Sequence, residues 1–182
     1  FVDIGCGLSS LLTVDSISVS RISHPRDRLS VGEEIYVVVK SRDEQSGRLY
    51  VSMKERLGTW EENAREFEVG QTVLGIVRSI EDYGVFIELS PNLAGLAELR
   101  DSGGSSIITP ESVGCRAAVY IKSIIPERMK IKLVLIDCSG EVVPAHPLKY
   151  YINTSRVRHI DRWRYSPACC DKLTESIFEV GR

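Results

Sequence analysis

Eleven residues of this chain recur further along without a gap. Val31-Gly32-Glu33-Glu34-Ile35-Tyr36-Val37-Val38-Val39-Lys40-Ser41 aligns with Val113-Gly114-Cys115-Arg116-Ala117-Ala118-Val119-Tyr120-Ile121-Lys122-Ser123. Each copy is followed by a turn and another alternating strand, Arg48 to Lys54 and Lys130 to Ile136. Upstream, Phe1-Val2-Asp3-Ile4 corresponds to Phe86-Ile87-Glu88-Leu89. A repeat of this length means one fold used twice, and alternation at period two means strands. The chain is therefore expected to be mainly β, with two tandem five-stranded barrels. The second copy holds all its strands between Thr72 and Ile136. The first lacks the strand that should precede Phe1, so it is expected to be incomplete on that side and the chain to be a piece of something longer.

Residues 69 to 89 carry the functional signal. Two apolar-rich strands meet at the turn Glu81-Asp82-Tyr83-Gly84. Beyond it Val85, Ile87 and Leu89 share one face, and Phe86 and Glu88 the other. A Phe on the polar face of a strand needs something to pack on it, and Tyr83 lies beside it at the turn. Two exposed rings form a platform for unpaired bases, worth roughly 1–3 kcal/mol per base stacked. Lys130 and Lys132 share one face of the last strand, opposite Met129, Ile131 and Leu133, and Lys122 sits near the end of the preceding strand. This stretch resembles the RNA-binding repeat of ribosomal protein S-one, an OB-fold barrel. The resemblance implies single-stranded RNA binding, with Tyr83, Phe86 and Lys130 at the family's RNA-facing positions. Two positions depart from it: Glu98 stands where the family often has His, and Ile125 where it has Asp. In the first repeat the resemblance extends to Asp43 and Arg48 on the last hairpin, and Phe1 supplies one ring. Arg21, His24, Arg26 and Arg28 precede Val31 in a segment that reads either as a basic loop tracking a backbone or as a solvated loop.

Composition narrows the partner. Lys plus Arg number 23 against 25 Asp plus Glu, giving a net charge of −2 and a pI near 6.0. A domain that grips duplex phosphates usually has a pI above about 9, so any RNA site must be a local basic and aromatic face. Five cysteines without regular spacing do not make a disulfide framework, and a reducing cytoplasm is the expected location. No apolar run approaches the length of a membrane span, so no membrane partner is expected. There is no Cys-x-x-Cys or His-x-x-x-His pair, no nucleophile elbow and no phosphate-cradling glycine loop; Gly103-Gly104-Ser105-Ser106 is followed by no Lys. No metal, no cofactor and no enzymatic activity are expected.

Four segments follow: residues 1–58 as the incomplete first repeat, 59–68 as a linker helix, 69–137 as the second repeat, and 138–182 as a small α+β extension. Thr59 followed by Glu62 is a capping-box pattern that starts a short helix at Trp60, with Trp60, Ala64 and Phe67 as its apolar stripe. Such a helix either fixes the angle between two barrels or closes the bottom of the first. In the extension, Ser166 and Pro167 read as N-cap and first helical residue, with a stripe through Cys169 or Cys170, Leu173, Ile177 and Val180. Arg162 and Arg164 flank Trp163, a pattern suited to stacking and phosphate contact. A strand burying Val157, Ile160 and Trp163 is the competing reading. The candidate RNA-binding residues are thus Tyr83, Phe86, Lys122, Lys130, Lys132, Phe1, Arg48, Arg162, Trp163 and Arg164. The expected role is holding single-stranded RNA in translation or RNA metabolism, with the ribosome or another RNA-handling assembly as partner. Two rivals stand beside it: degenerate repeats used as a protein-docking adaptor, and an accessory region of a larger enzyme.

Overall fold

The computed structural model describes residues 1–100 and 108–178. The Gly103–Ser106 connection and Val180 of the expected helical stripe lie outside the described residues. Val2–Asp3 (β1), Ser9–Leu12 (β2), Val38–Arg42 (β3) and Leu49–Ser52 (β4) form one sheet in the order β1-β2-β4-β3, with the helix Val14–Ile17 (α1) after β2. β2 and β4 run parallel, and the other neighbours antiparallel. The barrel expected for residues 1–58 is here an open four-stranded sheet. Closure needs a strand hydrogen-bonded to both β1 and β3, and no described residue takes that place. The sheet covers a small core of Leu12, Ile17, Val51, Met53 and Leu57.

The strands after α2 close into a barrel. Thr72–Glu81 (β5), Gly84–Ser90 (β6), Leu93–Glu98 (β7), Cys115–Ile125 (β8) and Lys130–Val142 (β9) form a barrel in the order β5-β6-β7-β9-β8. Strand alternation turns Val85, Ile87, Ala97, Val119, Ile121, Ile131 and Leu133 inward. Without β5, the remaining order β6-β7-β9-β8 is that of the first sheet, down to the parallel pair β7 and β9. Even the bulges agree: Lys40 interrupts the pairing of β3 with β4 between Val39 and Ser41, and Lys122 that of β8 with β9 between Ile121 and Ser123. β9 runs past the expected end at Ile136, and Val142 still pairs with Cys115.

The helix Trp60–Ala64 (α2) begins as its capping box dictates. Thr59 Oγ1 accepts from the Glu62 amide at 3.2 Å, and Glu62 Oε2 accepts from the Thr59 amide at 2.8 Å. Trp60 and Ala64 enter the barrel core and Phe67 packs at its edge, so the stripe faces the second repeat.

The extension departs from expectation. It contains no helix among the described residues; Arg162–Arg164 (β10) and Glu175–Ile177 (β11) pair as an antiparallel hairpin. Ser166 does cap backbone, but its Oγ accepts from the Thr174 amide at 3.1 Å, and Thr174 O accepts from the Tyr165 amide, which closes a loop in place of a helical turn. Cys169, Leu173 and Ile177 consequently face solvent, while Trp163, Tyr165, Cys170 and Phe178 are buried. The side chains follow a strand's period because the barrel offers a surface to Trp163 and Phe178 together. The segment also reaches both cores: Leu148 and Tyr150 pack on the first, Trp163, Tyr165 and Phe178 join the second.

Two buried polar groups tie these parts together. Glu88 of β6 receives Arg28 at 2.5 Å and Arg78 at 2.8 Å, and neither Glu88 nor Arg28 reaches solvent. Burial pushes the Glu88 carboxyl up, but the hydrogen bonds and charges of the two guanidinium groups outweigh it and hold it below the usual range. Asn92 accepts from the Val19 amide at 2.9 Å and donates to Lys54 O and Gly58 O at 2.7 and 2.8 Å. Its own carbonyl accepts from the Tyr165 hydroxyl at 2.5 Å. Three segments of the chain therefore meet at one turn of the barrel.

Candidate nucleic-acid interface

Strand register assembles a strip across the outside of the barrel. Ser79 pairs with Phe86, Phe86 with Leu96, Leu96 with Lys132, and Lys132 with Ser123. Val85, Ile87, Ala97, Ile131 and Leu133 point the other way, into the core. Tyr83 stands at the turn, 60% exposed, with its ring perpendicular to Phe86 at 6.2 Å. Gly84 permits that turn to sit tightly on β7, because a Cβ there would lie 2.7 Å from Ala97 O. Beside the rings is a shallow hollow of about 350 Å³ lined by Asp82, Tyr83, Leu96, Glu98, Leu99 and Arg100. Two flat rings, an aliphatic floor and lysines along β9 give this surface groups suited to stacking on one side and to anionic contacts on the other.

The sequence-expected residues divide clearly. Tyr83, Phe86 and Lys132 come together on the strip. Lys130 lies two residues along the same strand, opposite Ile125, and Lys122 is the exposed bulge residue beside Ser123. Glu98 pairs with Gly84 and brings a carboxylate to the rim of the hollow. Arg100, on that same rim, escaped the sequence reading because it lies past the end of β7, where no periodicity marks its direction.

The first sheet carries a corresponding edge. Phe1 is 82% exposed, and the Arg48 guanidinium carbon sits 5.8 Å from its ring centroid. Tyr50 pairs with both Leu11 and Ser41, the register place that Lys132 holds between Leu96 and Ser123. Tyr50 and Lys40 were not among the expected residues. The internal repeat contained the signal for Lys40, since it aligns with Lys122. Asp43 serves the hairpin: it accepts from Ser46 Oγ at 2.7 Å and the Gln45 amide at 2.9 Å, and the Ser46 hydroxyl with these amides holds its carboxyl below the usual range. Of the basic segment before Val31, Arg28 is no surface cation but the buried partner of Glu88, while His24 Nδ1 accepts from the Arg26 amide at 3.1 Å as a local cap.

Trp163 does not present its ring on the open surface. It is 9% exposed and lies tilted against Tyr165 at 5.9 Å. Arg162 pairs with Glu175 at 3.4 Å, and Arg164 donates to Pro167 O at 3.0 Å. The three residues alternate as a strand does, so the two arginines and the indole cannot grip one base between them. Ile160 packs against the core as the competing reading required, whereas Val157 is exposed. Among the described residues no three His, Cys, Asp or Glu side chains gather as a metal-holding group, and no helix is long and apolar enough to cross a membrane.

Comparison with known proteins bears on both halves. Residues 1–54 match the S1 RNA binding domain, so the chain carries an S1-type domain. Small ribosomal subunit protein bS1 of Leuconostoc lactis is 31% identical over 137 residues, covering 73% of this chain and 32% of that protein. The bS1 protein of Coxiella burnetii is 32% identical over 143 residues, covering 76% of this chain and 26% of its own length. The chain thus spans about a third or less of these relatives. A solved structure of an uncharacterized protein from Methanocaldococcus jannaschii is 32% identical, covering 38% of this chain and 93% of that one, with a TM-score of 0.34.

Proposed function

We propose that this chain binds single-stranded RNA in the cytoplasm, in translation, and acts by holding RNA without chemical reaction. The observation that carries the reading is the strip Phe86–Leu96–Lys132 with Tyr83 set edge-on beside it. The match of residues 1–54 to an RNA-binding domain and the similarity to ribosomal proteins support it. The shared strand order and the matching lysine bulges support reading the two halves as copies of one fold, the first copy open on the side where β5 closes the second. Few cations flank the rings, so affinity is expected to be micromolar, with single strands preferred over duplex. Titration of labelled single-stranded and duplex RNA at several salt concentrations tests this. The expected log–log salt slope corresponds to only a few neutralised phosphates. Equal affinity for the two RNAs, or no binding at low salt, would overturn it.

A second reading has its own support. Glu98 on the rim of the hollow and Ile125 opposite Lys130 weaken the barrel as a phosphate-facing surface, which suits a protein-docking adaptor for the ribosome. RNA binding unchanged by loss of Tyr83 and Phe86 would favour it.

A further inference from the structure

The hollow beside Tyr83 carries more chemistry than a stacking surface needs. Tyr83, Leu96 and Leu99 give it an apolar lining, and Asp82, Glu98 and Arg100 a polar one. None of these residues is buried, so each is presented to a ligand arriving from solution. Register fixes where Glu98 stands. It pairs with Gly84, while Leu96, two residues back on the same face of β7, pairs with Phe86. Gly84 has no side chain to cover Glu98 from the neighbouring strand. The Leu99 amide donates to Tyr83 O at 3.4 Å, which ties the turn to the end of β7. Glu98 is thus held on a strand beside an exposed ring, whereas Asp82 rides on the turn itself. Groups fixed on strands hold a contact geometry more closely than groups on loops.

We infer that Glu98 makes this hollow selective for guanine, an inference that rests on the RNA-binding reading above and names the base that surface prefers. A carboxylate repels phosphates, but the same group reads a base edge. When ionised it only accepts hydrogen bonds, through about four lone-pair sites, so it takes two donors of one base beside any donor from the protein. Guanine alone among the four RNA bases places two N–H donors side by side on its Watson–Crick edge, N1–H and the N2 amine. Adenine and cytosine set one amine next to an acceptor nitrogen, and uracil sets its N–H between two carbonyls. Each of these three turns a lone pair toward the carboxylate. Single-stranded RNA presents such edges because its bases splay out and stack on aromatic rings. A guanine lying against Tyr83 and Leu96 meets Glu98 with its paired donors, and Arg100 supplies a cation for the strand's phosphate.

The probes are short single-stranded RNAs of uridine that carry one central guanosine, inosine, adenosine, cytidine or uridine, titrated onto the whole chain. The guanosine RNA should bind about tenfold tighter than the all-uridine RNA, the discrimination that a two-point contact to a base edge ordinarily gives. Inosine keeps N1–H but lacks the N2 amine, so it should lose most of that gain with the protein unaltered. A Gln side chain has one oxygen to accept and an amide that donates, so Glu98→Gln should bring the guanosine and uridine RNAs within about twofold of each other. Inosine binding as tightly as guanosine overturns the inference, as does a guanosine preference that survives Glu98→Gln. A preference lost in Asp82→Asn and kept in Glu98→Gln overturns it too, since the reader would then be the turn. Equal affinities for all the RNAs that fall together in Tyr83→Ala/Phe86→Ala remove only this inference. No binding of any RNA at low salt removes the RNA reading and this inference with it.

Discussion

The open sheet and the closed barrel follow one pairing plan and reach different degrees of self-sufficiency. In the barrel, β5 bonds to β6 on one side and β8 on the other, so five strands enclose a core without edges. In the first sheet β1 and β3 remain apart, and the core of Leu12, Ile17, Val51, Met53 and Leu57 is covered partly by Leu148 and Tyr150 from the far end of the chain. Arg28 reaches into the barrel to Glu88, and the amide of Val19 is satisfied by Asn92. The same strand order thus closes into a barrel once and stays an open sheet once. What it lacks in strand closure it replaces with contacts to its neighbours.

The largest effect should come from cutting that dependence. Glu88→Gln leaves Arg28 and Arg78 facing a neutral amide and should cost about 3–5 kcal/mol, the usual penalty for stranding a buried charge. Hydrogen exchange should show the first sheet losing protection while barrel amides keep theirs; uniform loss would mean that the two regions unfold as one. The pH dependence follows from the depressed carboxyl. Its contribution is fully present above the ordinary carboxylate value of the unfolded chain and is lost as pH falls through the lower folded value. A loss of stability that sets in as pH falls below the ordinary carboxylate range in the unaltered protein, and is shallower in Glu88→Gln, checks the sign.

Function should separate the regions next. Tyr83→Ala with Phe86→Ala should weaken single-stranded RNA binding by about 1–3 kcal/mol per base stacked and leave the melting temperature nearly unchanged, because the rings lie on the outside. A collapse in melting temperature would place the rings in the core instead. On the first sheet, Tyr50→Ala with Arg48→Ala, at the places of Lys132 and Lys130, should have the smaller effect on affinity. The reverse order would make the open sheet the principal RNA surface.

Asn92→Ala sharpens the comparison from the barrel side. It strands the Val19 amide and two carbonyls, at about 1–3 kcal/mol for each group that finds no new partner. Limited proteolysis should then cut first near Val19 and Gly58. The smallest change is Tyr150→Phe, which removes one hydrogen bond from the Tyr36 amide at a partly exposed site, 3.3 Å long. It should cost no more than about 1 kcal/mol in chemical denaturation. A larger loss would mean that Tyr36 and Tyr150, edge-to-face with Arg56 over both rings, act as a unit.

Local pattern was enough for what repeats locally. Alternation gave the barrel strands and which residues of Ile131, Lys132 and Leu133 face inward, because a strand's two faces are set by the backbone alone. Thr59 and Glu62 gave the start of α2, since a capping box is complete within four residues. The rings of Tyr83 and Phe86 were legible as outward-facing for the same reason. Tertiary structure decided the rest. Glu88 occupies an outward position on β6 by period, yet it is buried because Arg28, sixty residues earlier, comes to meet it. The Ser166–Phe178 segment has helical signals but forms β11 against β10, where Trp163 and Phe178 are both buried in the barrel core and Cys169, Leu173 and Ile177 are exposed. Spacing along the chain records which face a side chain takes; only folding records what will be waiting on that face.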